Sequence, residues 1–250
     1  MTHKRYADKI VEWIREVVED AGAGGVVVGM SGGIDSSVTS VLCKKAVQNT
    51  LGLILPIYSR EEDKMDAISV AEQFKIDYKE IDLSLVLDEL CRSIGERRSE
   101  GDLRGNMASS NLKPRFRMIT LYYFANKNNY LVAGTSNKSE LAIGYFTKYG
   151  DSGADFEPLG DFYKTEVYDL ARNLGIPRKI IDKAPSAGLW SGQTDEEEVG
   201  ISYEELDEIL YGLEQSKDRR FTDTKKVEYV KELVKRSEHK RRALPTFKKL

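Results

Sequence analysis

The chain carries the segment Val26-Val-Val-Gly-Met-Ser-Gly-Gly-Ile-Asp-Ser-Ser37, which indicates more about its architecture than any other part. The three valines predict a buried strand, and the apolar residues that follow Ser37 predict a helix. Gly32 and Gly33 can take backbone angles that are closed to other residues. The first amides of a helix have no partner within it and can bind an anion. The segment therefore predicts a strand, a phosphate-binding turn and a helix.

Asp35 lies inside this predicted phosphate-binding turn. A bare carboxylate would repel phosphate, so we infer a bridging Mg²⁺, a cation that prefers oxygen ligands. The segment has no Gly-Lys-Ser/Thr and therefore differs from the P-loop of kinases and GTPases. It resembles the pyrophosphate loop of the ATP pyrophosphatases, a superfamily that splits ATP between its α and β phosphates. The alternative is a strand-to-helix turn that needs glycine and binds nothing.

The composition sets limits on the class of protein. The 250 residues are 40% hydrophobic and 32% charged, and the net charge of −3 argues against a dedicated nucleic-acid-binding protein. No apolar stretch has the length of a membrane span and no signal peptide is recognisable, so we expect no membrane partner. Cys43 and Cys91 are predicted to be buried free thiols, which favours a cytoplasmic location. The two histidines, His3 and His239, are too few for a histidine-based zinc site.

Strands and helices alternate along the first half of the chain. Apolar runs predict strands near 26–28, 51–55, 78–83 and 130–133. Helical spacing predicts helices near 5–20, 34–47, 62–74, 84–94 and 111–127. Such alternation implies βαβ units, so we expect an α/β fold with a doubly wound parallel sheet and helices on both faces. The resemblance to ATP pyrophosphatases likewise implies a Rossmann-like fold of the adenine nucleotide alpha hydrolase type.

The second half of the chain shows no convincing domain boundary, and residues 1–250 are predicted to form a single domain. Helices are predicted at 164–174 and 223–236. Between them, residues 184–200 combine proline and glycine with an acidic run, which is typical of a mobile lid loop. The chain closes with a basic segment over 235–250.

A second polar segment, Gly134-Thr-Ser-Asn-Lys-Ser-Glu140, follows the fourth predicted strand. Ligands of open parallel sheets bind at the carboxyl ends of the strands. We therefore expect Thr135 and Glu140 at the same sheet edge as Asp35, where two carboxylates facing ATP suit Mg²⁺. The alternative for Glu140 is an acidic residue that merely favours the helix dipole.

Six blocks taken together resemble the NAD synthetase family, and they extend from residue 29 to residue 242. Two are the segments quoted above. The other four are Asn111-x-Lys-x-Arg-x-Arg-Met118, Gly144-Tyr-Phe-Thr-Lys-Tyr-Gly-Asp-Ser-Gly-Ala-Asp155, Pro185-x-x-Gly-Leu-x-x-Gly-Gln-x-Asp-Glu-x-x-x-Gly-x-x-Tyr203 and Ser237-Glu-His-Lys-Arg-Arg242. The resemblance implies a ligase of NAD biosynthesis that adenylates the nicotinate carboxylate of deamido-NAD with ATP. Ammonia then replaces AMP, and NAD, AMP and pyrophosphate are the products.

The resemblance also implies roles for individual residues. Asp35 and Glu140 would be the Mg²⁺ ligands. ATP would be bound by Gly29, Met30, Ser31, Gly32, Gly33, Ile34, Asp35, Ser36, Thr135, Lys164 and Ser186. Deamido-NAD would be bound by Arg115, Lys148, Asp155, His239 and Lys240. Phe146 or Tyr145 would stack on the nicotinate ring, with core packing as the alternative for both aromatic residues.

The nitrogen source and the assembly are inferred on the same basis. Neither cysteine lies in a segment resembling the nucleophile of a glutamine amidase, so free ammonia is predicted, with a separate amidotransferase subunit as the alternative. The family implies a homodimer, and the apolar run Leu121-Tyr-Tyr-Phe124 is a candidate for the interface. Two other functions stay open at this point: a different ATP pyrophosphatase, such as a tRNA-modifying enzyme, and a non-catalytic ATP-binding sensor.

Overall fold

The computed structural model describes residues 3–96, 107–188, 192–215 and 223–248. The strands are β1 (Gly25–Gly29), β2 (Thr50–Ile54), β3 (Asp77–Glu80) and β4 (Tyr130–Ala133). The helices are α1 (His3–Asp20), α2 (Ile34–Ala46), α3 (Glu61–Gln73), α4 (Ser84–Ser93), α5 (Met107–Ser110), α6 (Leu112–Asn128), α7 (Lys138–Ile143), α8 (Lys164–Leu174), α9 (Arg178–Ile181), α10 (Asp195–Val199), α11 (Tyr203–Gln215) and α12 (Thr224–Arg241). Among these helices, none has the length and apolar character needed to cross a membrane.

The described strands form one parallel sheet in the order β3-β2-β1-β4. From β1 the chain moves outward to β2 and β3, and it then returns to place β4 on the other side of β1. The point where the strand order reverses lies between β1 and β4, and a crevice opens there at the carboxyl ends of the strands. The predicted doubly wound parallel sheet is confirmed, and the two polar segments follow the neighbouring strands β1 and β4.

Both faces of the sheet are covered by helices. Helices α1, α2 and α8 pack together on one face, around the fully buried Val26 and Val28. Helices α4 and α6 cover the other face, where Val27 and Leu53 are buried. A third apolar cluster joins α7, α11 and α12 around Leu206. Alternate side chains of β1 therefore pack into the two apolar cores on opposite faces of the sheet, as expected for a central parallel strand.

Three regions differ from the sequence-based expectation. The segment 184–200 is not entirely loop, since α10 occupies 195–199, and its residues 189–191 lie outside the described part. The basic segment 235–250 begins as helix, because α12 continues to Arg241; its residues 249–250 also lie outside the described part. In the run 121–124 only Tyr123 faces outward, with 61% of its surface exposed. The residues that pack against the sheet core are Leu121, Tyr122 and Phe124.

Candidate active site

The loop between β1 and α2 has the conformation of an anion-binding turn. Gly32 has φ +80°, and a Cβ added there would lie 2.1 Å from the carbonyl oxygen of Asp63. Both the left-handed backbone and the close approach of α3 therefore restrict this position to glycine. Gly33 has φ −87°, an angle open to any residue, so of the two glycines only Gly32 uses the backbone freedom of glycine here.

Serine hydroxyls hold this loop against the start of α2. The Ser31 amide donates to Ser36 Oγ at 3.2 Å, and the two hydroxyl oxygens of Ser31 and Ser36 are 2.9 Å apart. Ser37 Oγ donates to the Gly33 carbonyl at 2.8 Å. These bonds keep the first amides of a 13-residue helix directed into the crevice, where they can bind phosphate.

A group of charged side chains lies beside this loop; we call Asp35, Glu140, Asp195 and Lys164 the carboxylate cluster. Lys164 Nζ is 2.6 Å from Asp35 Oδ2 and 3.2 Å from Glu140 Oε1, and its side chain is only 2% exposed. Burial alone would lower the pKa of Lys164, but Asp35, Glu140 and Asp195 together raise it above its usual value. The lysine is therefore a permanent cation in the site.

The carboxylate cluster contains more negative than positive charge. Burial raises the pKa of Glu140 to about 7; Lys164 opposes this rise, and Asp35 and Asp195 add to it. Burial likewise raises the pKa of Asp195. Three carboxylates share one ammonium group, so the cluster carries two uncompensated negative charges when all are ionised. Among the described residues, no group of three acidic side chains is placed to hold a metal ion by itself. Two carboxylates beside a phosphate-binding loop still suit Mg²⁺, which is commonly held by one or two carboxylates together with substrate phosphates.

Asn137 connects the two polar segments and was not assigned a role from the sequence. Its Nδ2 donates to Asp35 Oδ1 at 2.9 Å, and its Oδ1 accepts from the Glu140 amide at 3.0 Å. Asn137 and Glu140 form the capping box of α7. The signal for this role was present, because Asn-x-x-Glu at the start of a helix is a capping-box pattern.

The position of Lys164 depends on helix α11. Ser139 Oγ accepts from the Lys164 amide at 2.9 Å and donates to Asp207 Oδ1. Asp207 Oδ2 in turn accepts from the Thr165 amide at 2.9 Å. A buried carboxylate of α11 thus fixes the first turn of α8. No sequence pattern indicated Asp207, since it lies more than 40 residues from the groups it holds.

The other half of the crevice is basic and is built by α6, the 144–155 loop and the end of α12. Lys148 Nζ donates to the His239 carbonyl at 3.0 Å, and Arg115 Nη2 donates to the Lys148 carbonyl at 3.4 Å. Lys240 Nζ donates to the carbonyls of Gly144 and Phe146 and lies 5.3 Å from the centre of the Phe146 ring. The C-terminal helix is therefore fastened to this loop.

One continuous cavity of about 630 Å³ joins the two halves. Of the residues predicted to bind ATP or metal, those lining it are Gly29, Met30, Ser31, Gly33, Ile34, Asp35, Ser36, Thr135, Glu140, Lys164 and Ser186. Of those predicted for deamido-NAD, the lining includes Arg115, Lys148, His239, Lys240, Tyr145 and Phe146. A volume of this size is ordinary for a small-molecule site.

Two of the predicted residues do not line this cavity, and a third, Tyr145, lines it while also contacting the 184–200 segment. Gly32 faces the Asp63 carbonyl and does not line the cavity. Asp155 also lies outside the lining, and its carboxylate accepts from the Val132 amide at 2.7 Å and from the Tyr122 hydroxyl at 3.0 Å. The Tyr145 hydroxyl lies 3.1 Å from Asp195 Oδ1 and 2.8 Å from Glu198 Oε2 and can donate its one hydrogen to either, so this ring is attached to the 184–200 segment.

Comparisons with known proteins agree with this geometry. The family model described as NAD synthase matches residues 6–244. The NH(3)-dependent NAD(+) synthetase of Archaeoglobus fulgidus is 49% identical over 249 residues, which are 98% of this chain and 97% of that protein. The structure of an NMN synthetase from Francisella tularensis has a TM-score of 0.89 at 36% identity and covers 98% of both chains. That of an NH3-dependent NAD synthetase from Campylobacter jejuni has a TM-score of 0.84 at 30% identity, covering 99% of this chain and 100% of that one.

Proposed function

The chain belongs to the NAD synthase family, and we propose that its crevice is where ammonia is joined to the nicotinate carboxylate of deamido-NAD. As a member of this family it is a ligase that forms a carbon–nitrogen bond and uses ATP. The observation that carries the assignment to the crevice is the meeting of the phosphate-binding loop with the Asp35–Glu140 pair. No comparison supports the two alternatives, a tRNA-modifying enzyme and a non-catalytic sensor.

The chemistry follows from the poor reactivity of a carboxylate. Ammonia cannot displace an oxide ion, so an oxygen of the nicotinate carboxylate first attacks the α-phosphorus of ATP and pyrophosphate leaves. Ammonia then attacks the acyl carbon, the bond to AMP breaks, and the nitrogen loses a proton to water. Neither step requires a protein nucleophile. The protein contributes by holding the reactants in line and by balancing the charge of the phosphates.

The ATP half of the crevice contains groups suited to these tasks. The amides at the start of α2 would bind phosphate oxygens, and Lys164 would contribute a permanent positive charge beside them. Thr135 and Ser186 line the same cavity and would add hydroxyl donors. Asp35 and Glu140 would hold Mg²⁺, whose chemistry there is to neutralise phosphate charge.

The basic half of the crevice suits an anionic dinucleotide. Arg115, Lys148 and Lys240 supply positive charge within the cavity lining, and Phe146 offers an aromatic face beside them. His239 accompanies them from α12. Asp155 would act on the dinucleotide only indirectly, because its carboxylate is engaged by β4 and Tyr122.

The compartment and the nitrogen source complete the proposal. Cys43 and Cys91 are both unpaired and buried, which supports a reducing, cytoplasmic environment. Burial raises the pKa of the Cys43 thiol to about 12, so it would not act as an amidase nucleophile. We therefore propose free ammonia as the immediate nitrogen donor.

We also propose that the enzyme is a homodimer. Several large apolar side chains are exposed on the outer side of α4 and α6, namely Leu85, Val86, Ile119 and Tyr123. Leu85 and Val86 also line a surface groove with Phe116 of α6. Exposed apolar surface on neighbouring helices favours a protein interface. A second copy of the chain is the occupant that the family resemblance implies.

The test supplies ATP, Mg²⁺ and deamido-NAD together with either ammonium chloride or glutamine, and it measures NAD and AMP. We expect NAD and AMP in equal amounts with ammonium and no NAD with glutamine. A folded protein that makes no NAD with ammonium would overturn the proposal. Release of pyrophosphate that depends on added tRNA would instead support an RNA-modifying enzyme, and absence of turnover would support a sensor.

The same assay should be run with a second acid in place of deamido-NAD. The similarity to an NMN synthetase makes nicotinate mononucleotide, the acid whose amide is NMN, the second candidate substrate. Both acids present the same carboxylate to the same activation chemistry. The ratio of kcat/KM for the two acceptors decides between them, and we expect it to favour deamido-NAD because the relatives of 44–50% identity are NAD synthetases.

A further inference from the structure

Tyr203, the first residue of α11, touches three members of the carboxylate cluster. Its side chain is buried, with 7% of the residue exposed. Its hydroxyl is 3.1 Å from Asp195 Oδ2 and 3.4 Å from Glu140 Oε1. The centre of its ring is 4.9 Å from Lys164 Nζ, within the range of a cation–π contact. One side chain therefore contacts both a proposed metal ligand and a proposed phosphate ligand.

The two ends of the Tyr203 side chain contact groups of opposite charge. A phenol has one hydrogen to donate, so the hydroxyl serves Asp195 and Glu140 in turn, or one of them at a time. A phenol keeps its hydrogen at neutral pH, so the hydroxyl faces both carboxylates as a donor. The ring face meets the ammonium group, and the hydroxyl meets the carboxylates. The two ends of the side chain thus favour opposite charges.

Tyr203 also connects the cluster to the segment that contains α10. The Tyr203 amide donates to Glu196 Oε1 at 2.8 Å. Asp195, beside Glu196, accepts from Tyr145 through its other oxygen at 3.1 Å, and its amide donates to the Pro185 carbonyl at 3.0 Å. Both backbone and side chain of Tyr203 therefore fasten α10 next to the carboxylate cluster.

We propose that Tyr203 is a positioning residue for the reaction: its hydroxyl orients Glu140 and Asp195, and its ring supports the ammonium of Lys164. The inference rests on the proposed function, because it assigns Tyr203 a part in the same metal- and phosphate-binding site. When Glu140 binds a cation, the ring still offers Lys164 a favourable neighbour. Groups that orient metal ligands commonly change metal affinity by about 10- to 100-fold when they are removed.

The test compares Tyr203→Phe with the matched control Tyr229→Phe. Tyr229 donates to the Val199 carbonyl at 2.7 Å, so the control also loses one hydroxyl bond to α10 but contacts no member of the cluster. Direct titration of the protein with Mn²⁺, in the presence of a non-hydrolysable ATP analogue, measures metal affinity without turnover. We expect Tyr203→Phe to weaken Mn²⁺ binding about tenfold and Tyr229→Phe to leave it unchanged.

Steady-state rates then distinguish the contribution of the Tyr203 hydroxyl from that of its ring. Tyr203→Phe keeps the ring, so the Mg²⁺ concentration for half-maximal rate should rise while the KM for ATP stays within about twofold. Tyr203→Leu removes the ring as well and should also raise the KM for ATP. Equal behaviour of Tyr203→Phe and Tyr229→Phe in the Mn²⁺ titration and in the rates would overturn the inference.

A double-substitution cycle covers the case in which Tyr203→Leu does not fold. Tyr203→Phe, Asp195→Asn and the double variant are compared for Mn²⁺ affinity. If Tyr203 acts through Asp195, the two effects should not add; additive effects would count against the inference. Failure of the wild-type protein to make NAD is a separate result. It would contradict the proposed function itself, whereas the comparison of variants tests only the role of Tyr203.

Discussion

Each acidic residue of the carboxylate cluster contributes negative charge to the site, and the contacts of Asp35 show most clearly what this charge does. Its carboxylate is bound by Lys164 on one oxygen and by Asn137 on the other. Removing the charge leaves Lys164 with less compensation and weakens the proposed Mg²⁺ site. The fold should be little affected, because the side chain lies in the crevice and not in an apolar core.

Asp35→Asn is therefore expected to abolish adenylation while the protein remains folded. Asparagine keeps the size of the side chain but loses the charge that attracts both Lys164 and a divalent cation. The measurement is pyrophosphate release with deamido-NAD, together with circular dichroism and thermal unfolding. Asp161→Asn, at a carboxylate that is almost fully exposed, is the control and should keep full activity. An unfolded Asp35→Asn protein would indicate that the turn is merely structural.

Glu157 is a half-buried carboxyl group without a cationic partner among the described residues. Its Oε2 accepts from the Ser136 amide at 3.1 Å, and the carboxylate packs against Gly134, where a Cβ would lie within 2.1 Å of it. Burial raises the pKa of Glu157 to about 8, with Glu140 and Asp151 adding to the rise and the Ser136 amide opposing it. The group is therefore held mostly in its neutral form near pH 7.

The pKa of Glu157 gives a pH dependence of stability with a definite sign. A raised pKa in the folded protein means that the neutral carboxyl group favours folding. This contribution to stability is complete below the unfolded pKa of about 4.3 and is lost as pH rises through the folded pKa. Each unit of difference corresponds to about 1.4 kcal/mol. Glu157→Gln should thus gain thermal stability over the wild type as pH rises from about 5 to about 8.

Thermal unfolding of Glu157→Gln across this pH range checks the sign. The exposed substitution Glu204→Gln serves as the control, and its difference from the wild type should stay constant with pH. A Glu157→Gln protein whose advantage does not grow with pH would show that the carboxyl group titrates normally.

At the scale of elements, α3 is joined to α9 and to the residues just after it by ion pairs that centre on the buried Asp66. Lys179 Nζ is 2.7 Å from Asp66 Oδ1, and Lys183 Nζ is 2.8 Å from Asp63 Oδ1 and also binds Asp66 Oδ2. The Asp66 side chain is only 4% exposed. Because the Asp63 carbonyl also packs on Gly32, these pairs hold the loop and the start of the 184–200 segment together.

Asp66→Asn is expected to destabilise the protein by about 1.5–3 kcal/mol, because the buried side chain loses its charge-assisted hydrogen bonds with Lys179 and Lys183. Burial would raise the pKa of Asp66, but bonds from Lys179 and Lys183 lower it overall. The stability contributed by the ionised Asp66 is present above its unfolded pKa of about 3.9. It is lost as pH falls through the lowered pKa of the folded protein. Urea unfolding should show the loss at neutral pH and a smaller acid-induced decline than in the wild type.

The control for this pair is Asp169→Asn. Asp169 binds Arg172 on the surface of α8, where both side chains are largely exposed. Exposed pairs one helical turn apart contribute only about 0.3–0.5 kcal/mol. Equal stability losses in Asp66→Asn and Asp169→Asn would contradict the importance of the buried pairs.

Elements and site residues differed in how far the sequence could predict them. The strands and most helices carry their signal locally, in apolar period and in capping residues, so β1, β4 and α8 were predicted nearly to the residue. Asp35 and Glu140 were also predictable, because each lies in the first turn of the helix that follows one of two neighbouring strands, β1 and β4. Asp195, Tyr203 and Asp207 were assigned no role, since their function depends on contacts with residues distant in sequence, and no local pattern encodes such contacts.

At the scale of the whole molecule, the sheet order explains why one crevice can serve two substrates. β1 and β4 are neighbours, although about a hundred residues separate them in the sequence. The segments that follow them contribute the proposed ATP-binding groups, while α6 and α12 bring basic groups to the opposite wall. The apolar outer side of α6 lies on the same helix as Arg115, so an interface there would be continuous with the proposed dinucleotide site.

The dimer proposal gives the last prediction, Ile119→Asp. Ile119 is 54% exposed and lies one helical turn from Tyr123, on the side of α6 that faces away from the sheet. A twofold interface presents the same patch from both copies, so one substitution places two carboxylates in it and disfavours association. Light scattering after size-exclusion chromatography should find a dimer for the wild type and a monomer for the variant. If the interface supports the dinucleotide site, the monomer should show a raised KM for deamido-NAD and an unchanged KM for ATP. Glu89→Gln, which retains a polar group beside the same apolar patch, should remain dimeric, and a monomeric wild-type protein with full activity would contradict the proposal.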